Sequence, residues 1–214
     1  MVTGSDRLVQ AVPLGEERGD EVAALMGRAF QDDPLFVYAC PDPGDRARWL
    51  PWVFRWSTWK GFLFGQTLGT TGQLNGVVAA IGPGGGEFTE EDLTRFGYHQ
   101  GRDAVGAEAW DRAIERINPA FEPADAALHR AVPEPHWYLD VIAVDPVVQG
   151  RGIGGVLLRA VHARADADGM PTVLLTYQPT NLPFYSRHGY SVVCEGTAPG
   201  NGPQWWGLRR DPGS

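Results

Sequence analysis

The sequence has few cysteines, no cluster of basic residues and no long apolar run, and each scarcity excludes a class of protein. Its two cysteines, Cys40 and Cys194, match neither a metal-ligand spacing nor a disulfide framework, so we expect both to be packing residues. The formal net charge is −8, which argues against a nucleic-acid partner because phosphate contacts need clustered Lys and Arg. No stretch resembles a signal peptide or a membrane span, so we expect a cytoplasmic protein with no membrane partner.

The composition indicates an ordinary folded domain. Hydrophobic residues make up 43% and charged residues 21% of the 214 residues, values typical of globular proteins. A chain of this length can bury a core without disulfides or metals. We predict a single domain over residues 1–214, with a helical insertion over 84–131 and a second functional half over 136–210.

The first half predicts short strands and two helices. A strand is expected over 8–12, followed by a helix capped by Asp20 and ended before Pro34. A longer helix over 45–61 carries Pro51 in its first turn or at a kink. Its tryptophans recur at helical spacing, which favours core packing over the alternative of a pocket wall: Trp49, Trp52, Trp56 and Trp59. Two strands over 64–71 and 75–82 follow.

The middle of the chain predicts helices. Residues 82–86 form a glycine-rich linker, because no Gly-Lys-Ser/Thr follows to make a phosphate loop. Thr89 with Asp92 indicates a helix start. Two or three helices are expected over 89–131, with turns near Gly101 and at Asn118-Pro119.

A glycine-rich turn between a strand and a helix carries the chemistry. The segment 136–144 predicts a strand whose alternation puts Tyr138, Asp140, Ile142 and Val144 on one face. Gln-Gly-Arg-Gly-Ile-Gly-Gly follows at 149–155 and leads directly into a helix. Glycines let the backbone approach a bulky anion, and free N–H groups at the helix start attract phosphate, to which Arg151 can add a charge-assisted bond. The spacing matches neither a P-loop nor a dinucleotide fingerprint.

These motifs resemble the GNAT superfamily of N-acyltransferases. The resemblance rests on Gln149-x-x-Gly152-x-Gly154 after Val144-Asp145-Pro146, and on Asn181-Leu182-Pro183-Phe184-Tyr185 before Gly189-Tyr190. Residues 136–210 look most like puromycin N-acetyltransferase-like enzymes. Those enzymes commonly have a Glu where this chain has Leu175, which weakens the case for the same substrate and for a base at that position.

The resemblance implies an α+β, three-layer fold: a mixed, mostly antiparallel sheet flanked by helices, with a splayed central strand pair. It implies acetyl-CoA as co-substrate and no metal. The residues that the resemblance assigns to donor binding are Ile142, Ala143, Val144, Gln149, Gly150, Arg151, Gly152, Ile153, Gly154, Gly155, Asn181, Phe184 and Tyr185.

The resemblance also implies direct attack of a neutral amine on the thioester. We expect Tyr185 to protonate the leaving thiolate, the alternative being that it only packs. Asp140 is the expected base or, equally, a hydrogen-bonded structural carboxylate; His136 is a weaker candidate base. Asp32 and Asp33 either hold the amine or cap a helix.

The function expected from these residues is acetylation of a small-molecule amine, antibiotic-like or biosynthetic. Two alternatives stay open: a non-catalytic acyl-CoA-binding protein and a peptide or protein N-acetyltransferase. A homodimer is compatible with each of these three functions.

Overall fold

The structure is a computed structural model that describes residues 9–213, and a seven-stranded mixed sheet forms its centre. The strand order is β1-β2-β3-β4-β5-β7-β6, and only the β4–β5 pair is parallel. The strands are β1 Ala11–Pro13, β2 Gly65–Thr70, β3 Gly76–Ile81, β4 Trp137–Val144, β5 Thr172–Thr176, β6 Ser191–Thr197 and β7 Gln204–Arg210. The predicted fold class, a mixed and mostly antiparallel sheet flanked by helices, is confirmed.

Helices cover both faces of the sheet. They are α1 Gly19–Ala29, α2 Pro34–Ala39, α3 Pro43–Phe64, α4 Glu90–Arg95, α5 Tyr98–Val105, α6 Ala107–Ala131, α7 Ile153–Ala167 and α8 Leu182–Ser186. On one face, buried residues of α1 and α3 such as Met26 and Trp49 share a core with Val77 of β3. On the other face, Leu157 and Val161 of α7 pack against the sheet. Each such buried side chain contributes about 1.5–3 kcal/mol.

The central strands β4 and β5 separate after a short pairing. Their register covers only Trp137↔Thr172 and Tyr138↔Val173, although β4 continues to Val144 and β5 to Thr176. The predicted splay is therefore present. It leaves the edge of β4 after Tyr138 without hydrogen bonds from β5, a gap into which an extended ligand can insert.

A β-bulge in β4 makes one prediction wrong. The register passes from Ala79 opposite Val141 to Ala80 opposite Leu139, so Asp140 is the extra residue. A bulge breaks the side-chain alternation and re-aims the residues after it. Val141 accordingly packs on the α1–α3 side of the sheet and Ile142 on the α7 side. Asp140 and Ile142 therefore do not share a face by simple alternation.

The first helices also depart from prediction. Asp20 lies inside α1, whose N-cap is Arg18, and it forms an ion pair with Arg55 instead of capping. The first helix does end before Pro34 as predicted, at Ala29, but Pro34 begins a further helix, α2, whose first turn is capped by Asp33. Pro51 lies well inside α3 and not in its first turn. The strand predicted over 8–12 is β1, shifted to Ala11–Pro13, with residue 8 outside the described part.

The helical block over 89–131 contains three helices. The capping box of Thr89 and Asp92 starts α4 as predicted. The predicted turn at Asn118-Pro119 is wrong, because α6 runs through both Pro119 and Pro123. The predicted break near Gly101 is also displaced, since the helices separate at Gly97 and Gly106, which both have positive φ. Local proline and glycine signals were overridden by the long apolar face of α6.

Candidate functional site

The loop from β4 to α7 is preorganised for an anion. Gly150 and Gly152 have φ values of 78° and 80°, a left-handed backbone conformation that is strained for residues with a Cβ. The space beside both glycines is open, because a Cβ built on either would meet no atom within 4 Å. The Gln149 side-chain amide donates to the Val144 carbonyl oxygen at 3.1 Å. That bond ties the loop to the end of the strand, so Gln149 holds the loop's shape.

The loop leads directly into the N-terminus of α7. The first N–H bonded within this helix is that of Val156, to the Gly152 carbonyl at 3.2 Å. The N–H groups of Ile153, Gly154 and Gly155 come before it and carry the positive end of the helix dipole. With the exposed Arg151 beside them, they form an arrangement suited to a pyrophosphate.

Helix α8 closes one side of this loop. A Cβ on Gly154 would lie 3.2 Å from Cζ of Phe184, so the absence of a side chain there allows α8 to pack against α7. The Phe184 ring contacts the ring of Tyr185 with centroids 5.3 Å apart. Tyr185 is buried and also packs edge-on against Tyr190.

A cavity of about 900 Å³ opens at the strand splay and extends between α3 and α6. Its wall contains four residues predicted for the site: Asp140, Ile142, Asn181 and Tyr185. The predicted Ala143 side chain is buried in the core between sheet and helices, so it can offer only backbone groups. Val144 ends β4 and borders the loop between β4 and α7, which we call the phosphate loop.

The hydroxyl of Tyr185 stays protonated at neutral pH. Burial raises its pKa well above the usual value, and the charge of Asp33 raises it further. A neutral phenol that faces a cavity can donate a hydrogen bond or a proton.

Asp140 presents an unpaired carboxylate oxygen. Its Oδ2 is buried without a hydrogen-bond partner, which is costly unless a ligand or water satisfies it. Burial raises the pKa of Asp140, and a hydrogen bond from Ser57 and the charge of Lys60 oppose the rise. Lys60 is the chain's single lysine, and its ammonium lies 5.8 Å from the centre of the Trp56 ring.

Asp33 caps a helix, which is one of the two roles that the sequence left open, and it also lines the cavity. Its Oδ1 accepts from the Leu35 N–H at 3.0 Å, which caps α2. Burial raises its pKa to about 6, against the lowering effect of bonds from Leu35 and Phe36. Its neighbour Asp32 is exposed and is absent from the cavity wall.

His136 lies at another part of the cavity, where α6 ends. Its Nδ1 is 2.8 Å from the Glu134 carbonyl oxygen, and its ring lies 5.2 Å from that of His129. Burial lowers the pKa of His136, so the neutral imidazole predominates at neutral pH. In the same region, Oδ2 of Asp125 is 3.6 Å from Nε2 of His129.

A family model described as an acetyltransferase (GNAT) domain matches residues 117–192. Over 172 residues the chain is 23% identical to an uncharacterized N-acetyltransferase, C550.08, of Schizosaccharomyces pombe, a match that covers 79% of this chain and 69% of the relative. Residues 117–192 of the chain are therefore similar to a GNAT acetyltransferase domain.

Solved structures share the GNAT fold. A Corynebacterium glutamicum protein, described as histone acetyltransferase HPA2 and related acetyltransferase, matches with a TM-score of 0.66 at 19% identity, covering 96% of this chain and 97% of that one. A polyamine N-acetyltransferase of Drosophila melanogaster, described as forming N-acetylagmatine, matches with a TM-score of 0.59 at 13% identity, covering 95% and 99%. At these identities the likeness shows the fold.

The residues of the β4–α7 loop and of the β4 edge fit acetyl-CoA, the co-substrate of GNAT enzymes. The free N–H groups at α7 suit its pyrophosphate, and the unpaired edge of β4 suits the amides of its pantetheine arm. Within residues 9–213, no helix combines the length and apolarity needed to cross a membrane. The same residues contain no group of three or more His, Cys, Asp or Glu side chains arranged to hold a metal ion.

The individual residues on the α6 side of the cavity were not among those predicted from the sequence. One face of α6 lines the cavity through Asn118, Phe121, Glu122, Asp125 and His129. Their three- and four-residue spacing was a signal for a shared helical face. The turn predicted at Asn118-Pro119 concealed it. The tryptophans of α3 contribute both to core packing and to the cavity wall. Trp49 is fully buried, and it lines the cavity together with Trp56.

Proposed function

We propose that this protein transfers the acetyl group of acetyl-CoA to the amine of a small molecule. The observation that carries the proposal is the continuous cavity that joins Tyr185, at the strand splay, to a walled space between α3 and α6. Its volume of about 900 Å³ lies in the range of small-molecule sites, roughly 300–1,000 Å³.

The wall of the cavity suits a cationic amine with an apolar body. Its carboxylates are Asp33, Glu87, Glu122, Asp125, Glu134 and Asp140, against one lysine. Aromatic rings of Phe30, Trp49, Trp56 and Phe121 supply apolar and π surface. Carboxylates attract an ammonium group, and rings stabilise it through cation–π contact. Leu175, where puromycin-type enzymes have a Glu, adds apolar wall and no charge.

The reaction requires one proton to leave the amine and one to reach the thiolate. The amine nitrogen bonds to the thioester carbonyl carbon, and the carbon–sulfur bond then breaks. Tyr185 gives its proton to the departing sulfur. A carboxylate, directly or through water, takes the proton from the nitrogen.

Of the two candidate carboxylates, Asp33 is the better supported base. Its charge acts on the pKa of both Tyr185 and Tyr177, whereas the charges acting on Asp140 are those of Lys60 and Asp125. A pKa of about 6 also lies near the operating pH, where a base is most effective. Asp140, with its unpaired oxygen, then holds the acceptor. The alternative, Asp140 as base, predicts a different pH profile.

Release of free CoA thiol, measured with individual aliphatic and aromatic amines, tests the proposal. Saturable, amine-dependent release is the expected result. A non-catalytic binding protein would instead give slow hydrolysis of acetyl-CoA, indifferent to amines and unchanged in Tyr185→Phe, and that outcome would end the proposal.

A further inference from the structure

A second recess lies on the outer surface between α7 and α8, away from the acceptor cavity. Arg159 and Arg187 stand at its mouth and His188 lies between the two helices, while His162, Asp166 and Arg210 form its floor. It begins one turn along α7 from the phosphate loop. A Cβ on Gly155 would lie 3.3 Å from Nη1 of Arg159 and 3.1 Å from Cε1 of His188.

The recess is cationic in a protein of net charge −8. Its one carboxylate among the described lining residues, Asp166, is already bound by Arg210 at 2.8 and 3.1 Å. In the part of the chain that the structure describes, Arg159 and Arg187 form no ion pair, although most surface arginines nearby do, such as Arg164 with Asp168. Two unneutralised guanidinium groups beside one imidazole create a positive potential that an anion can satisfy.

The floor of the recess carries no net charge, because Arg210 pairs with Asp166 and His162 is neutral. His162 is buried, and its Nε2 lies 3.1 Å from the Tyr190 hydroxyl. Burial and the charge of Arg210 lower its pKa to about 4, so it carries no charge at neutral pH. The positive charge of the recess therefore lies on the exposed residues Arg159 and Arg187.

Helix geometry explains why these charges reach the loop. Side chains of an α-helix tilt toward its N-terminus, so Arg159 extends back over the first turn of α7. The guanidinium lies beside Gly155, next to the N–H groups suited to the pyrophosphate. In coenzyme A the 3′-phosphomonoester is on the ribose to which the pyrophosphate is attached, so groups beside a pyrophosphate site are the ones that it can reach.

We propose that the recess formed by Arg159, Arg187 and His188 binds a phosphomonoester, the 3′-phosphate of coenzyme A. This rests on the proposed function only in that acetyl-CoA is the donor. The planar guanidinium groups suit bidentate contact with phosphate, and the His188 ring offers an N–H donor. The recess thus makes donor binding depend on a group remote from the reacting thioester.

Calorimetric affinities for CoA and 3′-dephospho-CoA test the proposal in wild type, Arg159→Ala, Arg187→Ala and Arg164→Ala. Wild type should bind CoA about tenfold or more tightly than 3′-dephospho-CoA, because a hydrogen bond to a charged group contributes that much. Each of the two recess variants should lose that preference while its affinity for 3′-dephospho-CoA is unchanged. Arg164→Ala, on the same helix but paired outside the recess, should behave as wild type.

Equal affinities in wild type, or an unchanged preference in both recess variants, would overturn the proposal. Neither outcome touches the proposed function, which fails separately if CoA binds and no amine is acetylated. Inorganic phosphate serves as a further probe: it should weaken CoA binding in wild type more than in Arg159→Ala. If phosphate weakens the binding of CoA and of 3′-dephospho-CoA equally, phosphate binds at the α7 N-terminus and the recess does not take part.

Discussion

Burial raises the pKa of two side chains of the cavity and suits them to different roles. It keeps the Tyr185 phenol protonated, which suits an acid, and it brings the pKa of Asp33 to about 6, which suits a base at neutral pH. A cavity that holds an acid and a base with separated pKa values can move two protons in one reaction.

Tyr185→Phe removes the proposed acid and little else. The ring packing against Phe184 and Tyr190 is kept, so we expect folding and acetyl-CoA affinity to be unchanged. The turnover number should fall by roughly 100-fold or more, the usual contribution of general acid catalysis. Steady-state rates together with acetyl-CoA thermal shifts check this. A fall of less than about threefold would assign Tyr185 a packing role.

Asp33→Asn tests the base without removing the helix cap, because Asn caps as well as Asp. In wild type, kcat/KM should fall about tenfold per pH unit below about pH 6, as Asp33 takes up a proton. In Asp33→Asn the rate should be low and this acidic limb absent. If the limb persists in Asp33→Asn and disappears in Asp140→Asn, Asp140 is the base.

The same variant should be more stable than wild type at neutral pH. The pKa of Asp33 is higher in the folded protein, about 6, than its ordinary value of 3.8, so the folded state binds the proton more tightly. The free energy of unfolding therefore falls as pH rises from about 4 to 6. Asp33→Asn should recover about 1–3 kcal/mol at pH 7 and nothing below about pH 4. Urea unfolding at the two pH values measures this.

At the scale of residues, the local sequence predicts the shape of the β4–α7 loop, but it does not predict which side chains of α3 and α6 share the cavity. Gln149 and Gly152 lie in one short turn whose glycines and helix start have local physical causes. Asp125 and Lys60 join the cavity only through packing of α6 and α3. Such long-range juxtaposition leaves little trace in local spacing.

Two elements, the β4 bulge and the α7 N-terminus, create the site. The bulge makes Asp140 the extra residue of β4, and Asp140 lines the cavity. A bulge follows from tertiary pairing of β3 with β4, so alternation in the sequence predicted a regular strand instead. The splay that starts beyond Tyr138 lets the cavity meet the phosphate loop.

Two glycines at opposite ends of α7 separate folding from donor binding. Gly152 and Gly169 both have positive φ, 80° and 66°, and neither Cβ position meets an atom within 4 Å. Gly152→Ala and Gly169→Ala should therefore each cost about 1 kcal/mol of stability through backbone strain. Only Gly152→Ala should weaken CoA binding in calorimetry. Equal weakening in both variants would show that the loop acts through stability alone.

The charge of the whole molecule should favour cationic acceptors. A net charge of −8 and a cavity rich in carboxylates attract an ammonium ion at low salt, and salt screens that attraction. The KM for a monocationic amine should rise severalfold between about 0.05 and 0.5 M salt. An amine with its own carboxylate should show the opposite trend. Identical salt responses for the two amines would mean that the cavity charges are neutralised by neighbours.

The walls that α3 and α6 give the cavity are the feature that argues for a small acceptor, and one assay tests it directly. The protein is incubated with acetyl-CoA and either a mixture of small amines or a mixture of peptides, and acetylated products are identified by mass spectrometry. We predict acetylation of one or a few small cationic amines with an apolar body and none of the peptides. Preferential acetylation of peptides, or no acetylated product in either mixture, would contradict a site for a small amine.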